Sequence, residues 1–96
     1  MFTAALMEEI RLTLKKVRAR RQMLDQELSQ RTGFSLAHMS RTLYGNGTAL
    51  TEEDGKKYAE GLGLGWDSIV AVAKQRWDHN RLYEEAIARL ASASPE

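Results

Sequence analysis

The sequence contains no cysteine, and this absence excludes several kinds of site at once. Disulfide bonds, thiolate metal ligands and cysteine nucleophiles all need that residue, and a chain without it is typical of a reducing compartment. No apolar run approaches the roughly 18 residues that a membrane-spanning helix needs. The start of the chain, MFTAALMEE, becomes acidic without a preceding basic segment, so we expect no signal peptide. These absences predict a cytoplasmic protein that does not contact a membrane.

Helix-breaking residues are also scarce. The single proline is residue 95, and all seven glycines lie between positions 33 and 65. Of the 96 residues, 43% are hydrophobic and 28% are charged, which is typical of one small globular domain and not of a disordered chain. Net charge is nearly absent, because 14 Lys and Arg residues oppose 13 Asp and Glu residues. Positions 1–24 nevertheless carry an excess of basic residues, and the run from Lys15 to Arg21 is typical either of a solvated helix face or of phosphate contacts.

Hydrophobic periodicity predicts an all-α fold of five or six helices, since no segment alternates with the period of two that a strand shows. An apolar stripe at helical spacing predicts a first helix over residues 3–23. The stripe consists of Leu6, Ile10, Leu14 and Val17. Further helices are predicted over residues 25–31, 35–44, 51 to 63 or 65, 66–77 and, after a break at 78–80, up to about residue 92.

Residues 24–47 contain the pattern that is most informative about function. Asp25 and Ser35 are residue types that cap helix N-termini, so each is expected to begin a short helix. Between these helices, Gly33 can adopt a left-handed backbone and Phe34 can fill the space between them. Two short helices joined by a glycine-containing turn are typical of a helix-turn-helix. Thr51, with three acidic residues after it, is an equivalent start signal for the next helix.

On these residues the chain resembles the small DNA-binding domains of phage repressors, Cro proteins and the wider Xre-type regulators. The matching segments are Leu28-Ser29-Gln30-Arg31, Gly33-Phe34-Ser35, Gly45, Tyr58 to Leu64 and Trp66 to Ile69. The resemblance covers about residues 10–75 and has three departures. Ser29 occupies a position that is usually alanine, Thr42 occupies one that is usually a branched aliphatic residue, and the start of the second helix is one residue short.

The resemblance implies both a fold and a function. The implied fold is a compact five-helix lambda-repressor-like bundle over residues 1–77, with an extra amphipathic C-terminal helix over residues 78–92 and a disordered tail at 93–96. The implied function is sequence-specific binding of double-stranded DNA by a small bacterial or phage transcriptional regulator, repressor-like or Cro-like, that associates with the nucleoid when bound. In this class the third helix, here about residues 35–44, lies in the major groove.

Helical spacing places five residues of the predicted recognition helix on one face as candidates for contact with base edges: Leu36, Ala37, Ser40, Arg41 and Tyr44. Arg41 is expected to bind guanine or a phosphate, and Ala37 a thymine methyl group. Candidates for positioning the DNA backbone are Gln26, Ser35, Asn46 and Thr48. The alternatives are that Leu36 is a core residue, that Arg41 is merely solvated, and that Tyr44 packs over the following loop.

The last predicted helix has an apolar stripe that a minimal DNA-binding domain does not explain. This stripe must be buried against either the first helix or a second subunit, and it consists of Leu82, Tyr83, Ile87 and Leu90. We expect a homodimer, because repressor-type domains generally bind two half-sites about 34 Å apart. A different protein partner at this helix is the alternative.

Catalytic and metal-binding patterns are missing from the sequence. His38 and His79 lack the i, i+4 spacing of helical zinc ligands, and Ser35 with His38 lacks an orienting acid. We therefore expect no enzymatic activity, no metal and no cofactor. The competing hypothesis is a protein-binding module, such as an antitoxin or a phage protein that captures a host factor. The weak net charge and the apolar Leu36 and Ala37 favour that hypothesis.

Overall fold

The computed structural model describes residues 2–45, 48–78 and 80–92 of the chain. These residues form six α-helices and no strand, so the all-α prediction is confirmed. The helices are α1 (Ala4–Arg20), α2 (Asp25–Thr32), α3 (Leu36–Thr42), α4 (Glu52–Gly61), α5 (Trp66–Asp78) and α6 (Asn80–Ser92). The predicted phosphate contact Asn46 and the predicted tail at 93–96 lie outside the described residues.

Hydroxyl side chains cap the N-termini of three of these helices. The side-chain oxygens of Thr3, Ser35 and Thr51 accept hydrogen bonds of 3.1, 3.0 and 3.1 Å from backbone N–H groups in the first turns of α1, α3 and α4. Because those N–H groups have no partner within their own helix, each cap stabilises its helix, typically by about 1 kcal/mol. The predicted caps Ser35 and Thr51 are confirmed.

The predicted boundaries between α1 and α2 are wrong in two respects. Asp25 is not the N-cap of α2 but its first residue, and Leu24 precedes it without a side-chain capping bond. Helix α1 ends at Arg20 and does not continue to residue 23. The reason is local backbone geometry, because Gln22 has a left-handed conformation with φ 57°, which no α-helix accommodates.

Helix α1 is the centre of the fold. It packs against α4, α5 and α6, while α2 packs against α3 and α4. The apolar stripe predicted for α1 lies in the middle of the core, where Ile10, Leu14 and Val17 are fully buried. The other helices contribute Leu28, Met39, Leu43, Tyr58, Leu62, Ile69, Tyr83 and Ile87, among others. Since α3 packs mainly against α2, it lies at the edge of this core.

Helix α6 folds back onto α1 and α5, so the chain itself covers most of the C-terminal apolar stripe. Tyr83 is 1% exposed, with its hydroxyl 3.1 Å from Thr13 Oγ1, and Ile87 is fully buried. Both are core residues of this chain, which corrects their assignment to a dimer or partner surface. Leu90 is partly buried against the same core, and Leu82 remains 45% exposed. The division predicted between residues 77 and 78 therefore falls within one core.

Arg21 joins the C-terminal ends of α4 and α6. Its guanidinium donates hydrogen bonds to the carbonyl oxygens of Leu62, Leu90 (3.1 Å) and Ala91 (3.2 Å). The last carbonyls of a helix have no partner within it and form the negative end of its dipole. A cation at this point therefore satisfies both helix ends and holds α6 against the rest of the fold.

Candidate nucleic-acid interface

The turn between α2 and α3 is closed by local hydrogen bonds. Gly33 follows α2 with a left-handed φ of 81°, and its N–H donates to Ser29 O at 2.8 Å. Ser29 Oγ in turn donates to Phe34 O at 2.5 Å, and Thr32 Oγ1 accepts from Phe34 N–H at 3.2 Å. The serine that replaces the usual alanine therefore has a role in this chain, because its hydroxyl closes the turn.

Phe34, which was predicted to fill the space between α2 and α3, packs against α3 and α4. Its ring centroid lies 4.6 Å from that of His38 in α3 and 5.0 Å from that of Tyr58 in α4. The ammonium group of Lys57 lies 5.6 Å from the same ring. Phe34 thus connects the turn to both of the helices that follow it.

The inner face of α3 is held by buried contacts. Met39 is buried in the core, and Thr42 is 2% exposed. Thr42 Oγ1 donates to the carbonyl of His38 at 2.9 Å and lies 2.7 Å from Tyr58 Oη. Because the single hydroxyl proton of Thr42 is committed to His38, Tyr58 is the donor in the second bond. The polar residue at a usually aliphatic position is therefore fully hydrogen-bonded.

A second polar contact ties α3 to the start of α4. His38 Nε2 lies 2.7 Å from Asp54 Oδ2, and both side chains are largely shielded from solvent. The first turn of α4 was predicted only as an acidic helix start, and the expectation that His38 has no orienting acid is wrong, because Asp54 lies within hydrogen-bond distance of it. Its contact with α3 joins positions that are 16 residues apart, and no local pattern indicates such a pair.

Arg11 of α1 supports the C-terminal end of α3. Its Nη1 donates to Leu43 O at 2.9 Å, while Nε and Nη2 bind the Glu8 carboxylate at 2.9 and 2.5 Å. The bidentate bond lowers the pKa of Glu8 and raises that of Arg11. Gly45 lies against this guanidinium, since a Cβ there would come within 3.2 Å of it. Arg11 was not predicted to support the site, although its i, i+3 spacing from Glu8 is visible in the sequence.

The outer face of α3, defined here as Leu36, Ala37 and Arg41, points into solvent. Leu36 is 49% exposed, which decides against its interpretation as a core residue, and Ala37 and Arg41 are also exposed. The guanidinium of Arg41 has no hydrogen bond or ion pair with any residue that the structure describes. Ser40, also predicted to contact bases, is half-buried beside this face. Three of the five predicted base-contacting residues are thus brought together on one surface.

Tyr44 does not belong to that surface, which corrects its assignment as a base contact. Helix α3 ends at Thr42, and Tyr44 lies beyond it with its hydroxyl donating to Asp25 Oδ1 at 2.5 Å. Its ring lies 5.9 Å from Lys15 Nζ and 5.7 Å from Arg18 Cζ. Burial, followed by the bond to Asp25, raises the pKa of Tyr44 to about 12. Tyr44 therefore connects α1, α2 and the end of α3.

The candidate phosphate-positioning residues occupy three places around α3. Gln26 is exposed in the first turn of α2, and Ser35 caps α3 while remaining exposed. Thr48 is exposed in the segment after α3, where its N–H donates to Arg41 O at 3.4 Å. Gln26 and Ser35 thus lie at helix starts, whereas Thr48 lies six residues after the end of α3.

Comparison of the chain with protein-family models, with curated proteins and with solved structures finds no match. Within residues 2–45, 48–78 and 80–92, no three histidine or acidic side chains are grouped as metal ligands. In the same residues no helix is long and apolar enough to cross a membrane. The function is therefore inferred from the outer face of α3 and its surroundings.

Proposed function

We propose that this chain is a small, non-enzymatic helix-turn-helix protein that binds double-stranded DNA sequence-specifically and regulates transcription. The observation that carries the proposal is the contrast between the two faces of α3. The inner face is held in the core by Met39, Thr42 and Leu43. The outer face carries Arg41, whose guanidinium has no hydrogen-bond or ion-pair partner among the described residues. A helix presented in this way fits the major groove, where the N-terminal part of a recognition helix contacts base edges.

Each residue of the outer face has a chemical role in this proposal. The planar guanidinium of Arg41 can donate two hydrogen bonds to O6 and N7 of guanine. Leu36 and Ala37 offer apolar surface to the C5-methyl group of thymine. Gln26, Ser35 and Thr48 would contact phosphates, which set the register of the protein on the duplex.

The support beneath α3 favours a rigid binding surface. Three hydrogen bonds hold this helix in place: Thr42 with Tyr58, His38 with Asp54, and Arg11 with the carbonyl oxygen of Leu43. A surface that is already ordered loses little conformational entropy on binding. Affinity for DNA would then come from contacts made by a preformed helix and not from folding on the target.

The experiment that tests this proposal is selection from a pool of random duplex DNA at low and at moderate salt, followed by sequencing. We expect an enriched motif, and a palindrome with half-sites about 34 Å apart would indicate a homodimer. Retention without an enriched motif would contradict sequence-specific binding. No retention at either salt concentration would contradict DNA binding altogether.

Replacing Arg41 with alanine separates base contact from general charge. We expect Arg41→Ala to weaken binding to the selected sequence by about 1–3 kcal/mol and to relax the preference at one base pair. Arg89→Ala is the matched control, because Arg89 is exposed on α6, which packs against α1 and α5. Equal losses for the two variants would show that Arg41 contributes only its charge.

A protein-binding module is the second candidate function, and the exposure of Leu36 beside Ala37 is the observation that favours it. An antitoxin, or a phage protein that captures a host factor, would cover this apolar surface with a partner. The two functions differ in salt dependence, because DNA binding weakens steeply as salt rises and apolar protein contacts do not. Salt-insensitive binding to a purified toxin or host protein that Leu36→Ser abolishes would favour the module.

A further inference from the structure

Most basic side chains of α1 are bound to other groups of the fold. Between positions 11 and 21 the helix and its C-cap carry six basic residues, and five of them bind a carboxylate or a backbone carbonyl of this chain. These five are Arg11 (Glu8 and Leu43 O), Lys16 (Glu84), Arg18 (Met23 O and Asp25), Arg20 (Glu84) and Arg21 (the carbonyls at the ends of α4 and α6). Their charge is thus used to hold α6 and the helix-turn-helix in place.

Lys15 is the exception in this run. Its ammonium group has no hydrogen bond or ion pair with a residue that the structure describes, and it lies 5.9 Å from the ring centroid of Tyr44. A contact with the face of an aromatic ring attracts the cation but uses none of its three N–H donors for a strong acceptor. Lys15 is therefore positioned beside a ring while its hydrogen-bonding capacity remains available.

The ring that positions Lys15 belongs to the helix-turn-helix. Tyr44 lies just beyond the end of α3, and its hydroxyl donates to Asp25, the first residue of α2, at 2.5 Å. Lys15 thus lies where the end of α3 meets the start of α2, although it belongs to α1. Arg18, one turn further along α1, contacts the same ring but is committed to Met23 O at 2.7 Å.

We propose that Lys15 contacts a backbone phosphate of duplex DNA next to α3, and this inference rests on the proposed DNA-binding function. An ammonium group is a compact point charge that suits a single phosphate oxygen without demanding a fixed orientation. The contact carries no sequence information, since phosphates are the same at every step of the duplex. Its role is to extend the bound surface from α3 to α1.

The test is the salt dependence of binding to the selected duplex and to an unrelated duplex. For each phosphate contact, the slope of log K against log salt is about 0.9 steeper on B-form DNA. Lys15→Ala is expected to make the slope about 1 less steep on both duplexes, whereas Lys15→Arg is expected to keep it. Lys74→Ala is the matched control, because Lys74 is exposed on α5 and loses the same charge.

The outcomes distinguish a failure of this inference from a failure of the proposed function. If the parent protein binds no duplex, both are overturned. If the parent binds with a salt-dependent affinity and Lys15→Ala keeps the parental slope, only the assignment of Lys15 is overturned. If Lys74→Ala flattens the slope as much as Lys15→Ala does, the effect is one of total charge and the assignment is again overturned. Circular dichroism of each variant shows whether its helices are intact.

Discussion

Helices α3 and α6 each bury one face in the core and expose the other, and they differ in how the fold uses their charged side chains. Helix α6 packs against α1 and α5 and buries Tyr83 and Ile87. The carboxylate of its Glu84 accepts a hydrogen bond of 2.8 Å from Lys16 Nζ. Helix α3 buries one face as well, but Leu36 and Arg41 on the other face point into solvent. A strong apolar stripe therefore indicates which face of a helix the fold covers, and the exposed face of α3 is the surface proposed to contact DNA.

The basic residues on α1 also differ in what they bind. Lys16, Arg20 and Arg21 bind groups of α6, so their charge contributes to the docking of that helix. The side chains of Lys15 and Arg41 have no such partner among the described residues and are the two cations proposed to contact DNA. A chain with almost no net charge can therefore still present cations near α3, although most of the basic side chains of α1 are bound within the fold.

The largest expected effect concerns the buried face of α6. We expect Ile87→Ala to lower the free energy of unfolding by about 2–5 kcal/mol, because it removes buried methyl groups and leaves a cavity. Leu82→Ala on the same helix is the matched control, since Leu82 is 45% exposed and its truncation leaves no cavity. Urea denaturation measures both variants, and similar small losses would mean that α6 is not docked in solution.

The turn before α3 is expected to give the next largest effect. Gly33 has φ 81° and no atom within 4 Å of the position of a Cβ, so a substitution there strains only the backbone. We expect Gly33→Ala to lower the free energy of unfolding by about 1–2 kcal/mol. Gly33→Asn should lower the free energy of unfolding by less than Gly33→Ala does, because asparagine tolerates the left-handed conformation better than alanine. If Gly33→Asn lowers the free energy of unfolding more than Gly33→Ala does, steric crowding and not backbone conformation determines the effect of a substitution at this turn.

A smaller effect is expected at the support for the end of α3, and it depends on pH. The bond to Arg11 lowers the pKa of Glu8 in the folded state below its unfolded value. The ionised carboxylate therefore stabilises the fold above the unfolded pKa, and this contribution disappears as the pH falls through the folded pKa. Because Glu8 is more than half exposed, we expect a contribution of only a few tenths of a kcal/mol.

Glu8→Gln tests that contribution directly. Urea denaturation of the parent and the variant between about pH 6 and pH 3 should show a difference that is largest at pH 6 and vanishes at low pH. A difference that is constant over this range would mean that the side chain acts by packing and not by its charge.

The smallest expected effect is the stability change of Arg41→Ala. Since Arg41 is exposed and unpaired among the described residues, its removal should change the free energy of unfolding by less than about 0.5 kcal/mol. The same variant is expected to weaken binding to the selected sequence by about 1–3 kcal/mol, so stability and binding would respond independently. A large loss of stability would show that the outer face of α3 is used by the fold after all.

Sequence patterns were most accurate where structure depends on neighbours along the chain. Ser35 and Thr51 cap their helices and Gly33 adopts the left-handed turn, because each bond involved spans only a few residues. The apolar stripe of α1 was also predicted, since helical spacing alone puts Ile10 and Leu14 on one face.

Predictions were wrong where a side chain found a partner far away in the sequence. Helical spacing extended α3 to Tyr44, but the hydroxyl of that residue binds Asp25, 19 positions earlier, outside the helix. Tyr83 was assigned to a partner surface, but its hydroxyl lies beside Thr13, 70 positions earlier. Periodicity shows that a face is apolar and leaves open which surface covers it.

The sequence by itself determined the helical class, most helix starts and the turn that joins α2 to α3, because short-range hydrogen bonds and backbone preferences govern these features. Only the tertiary structure decided that α6 is covered by its own chain, that Thr42 and Ser29 are satisfied, and that Arg41 is left exposed. These outcomes depend on which surfaces meet when the helices pack. Such contacts join distant positions, and one linear pattern is compatible with many of them.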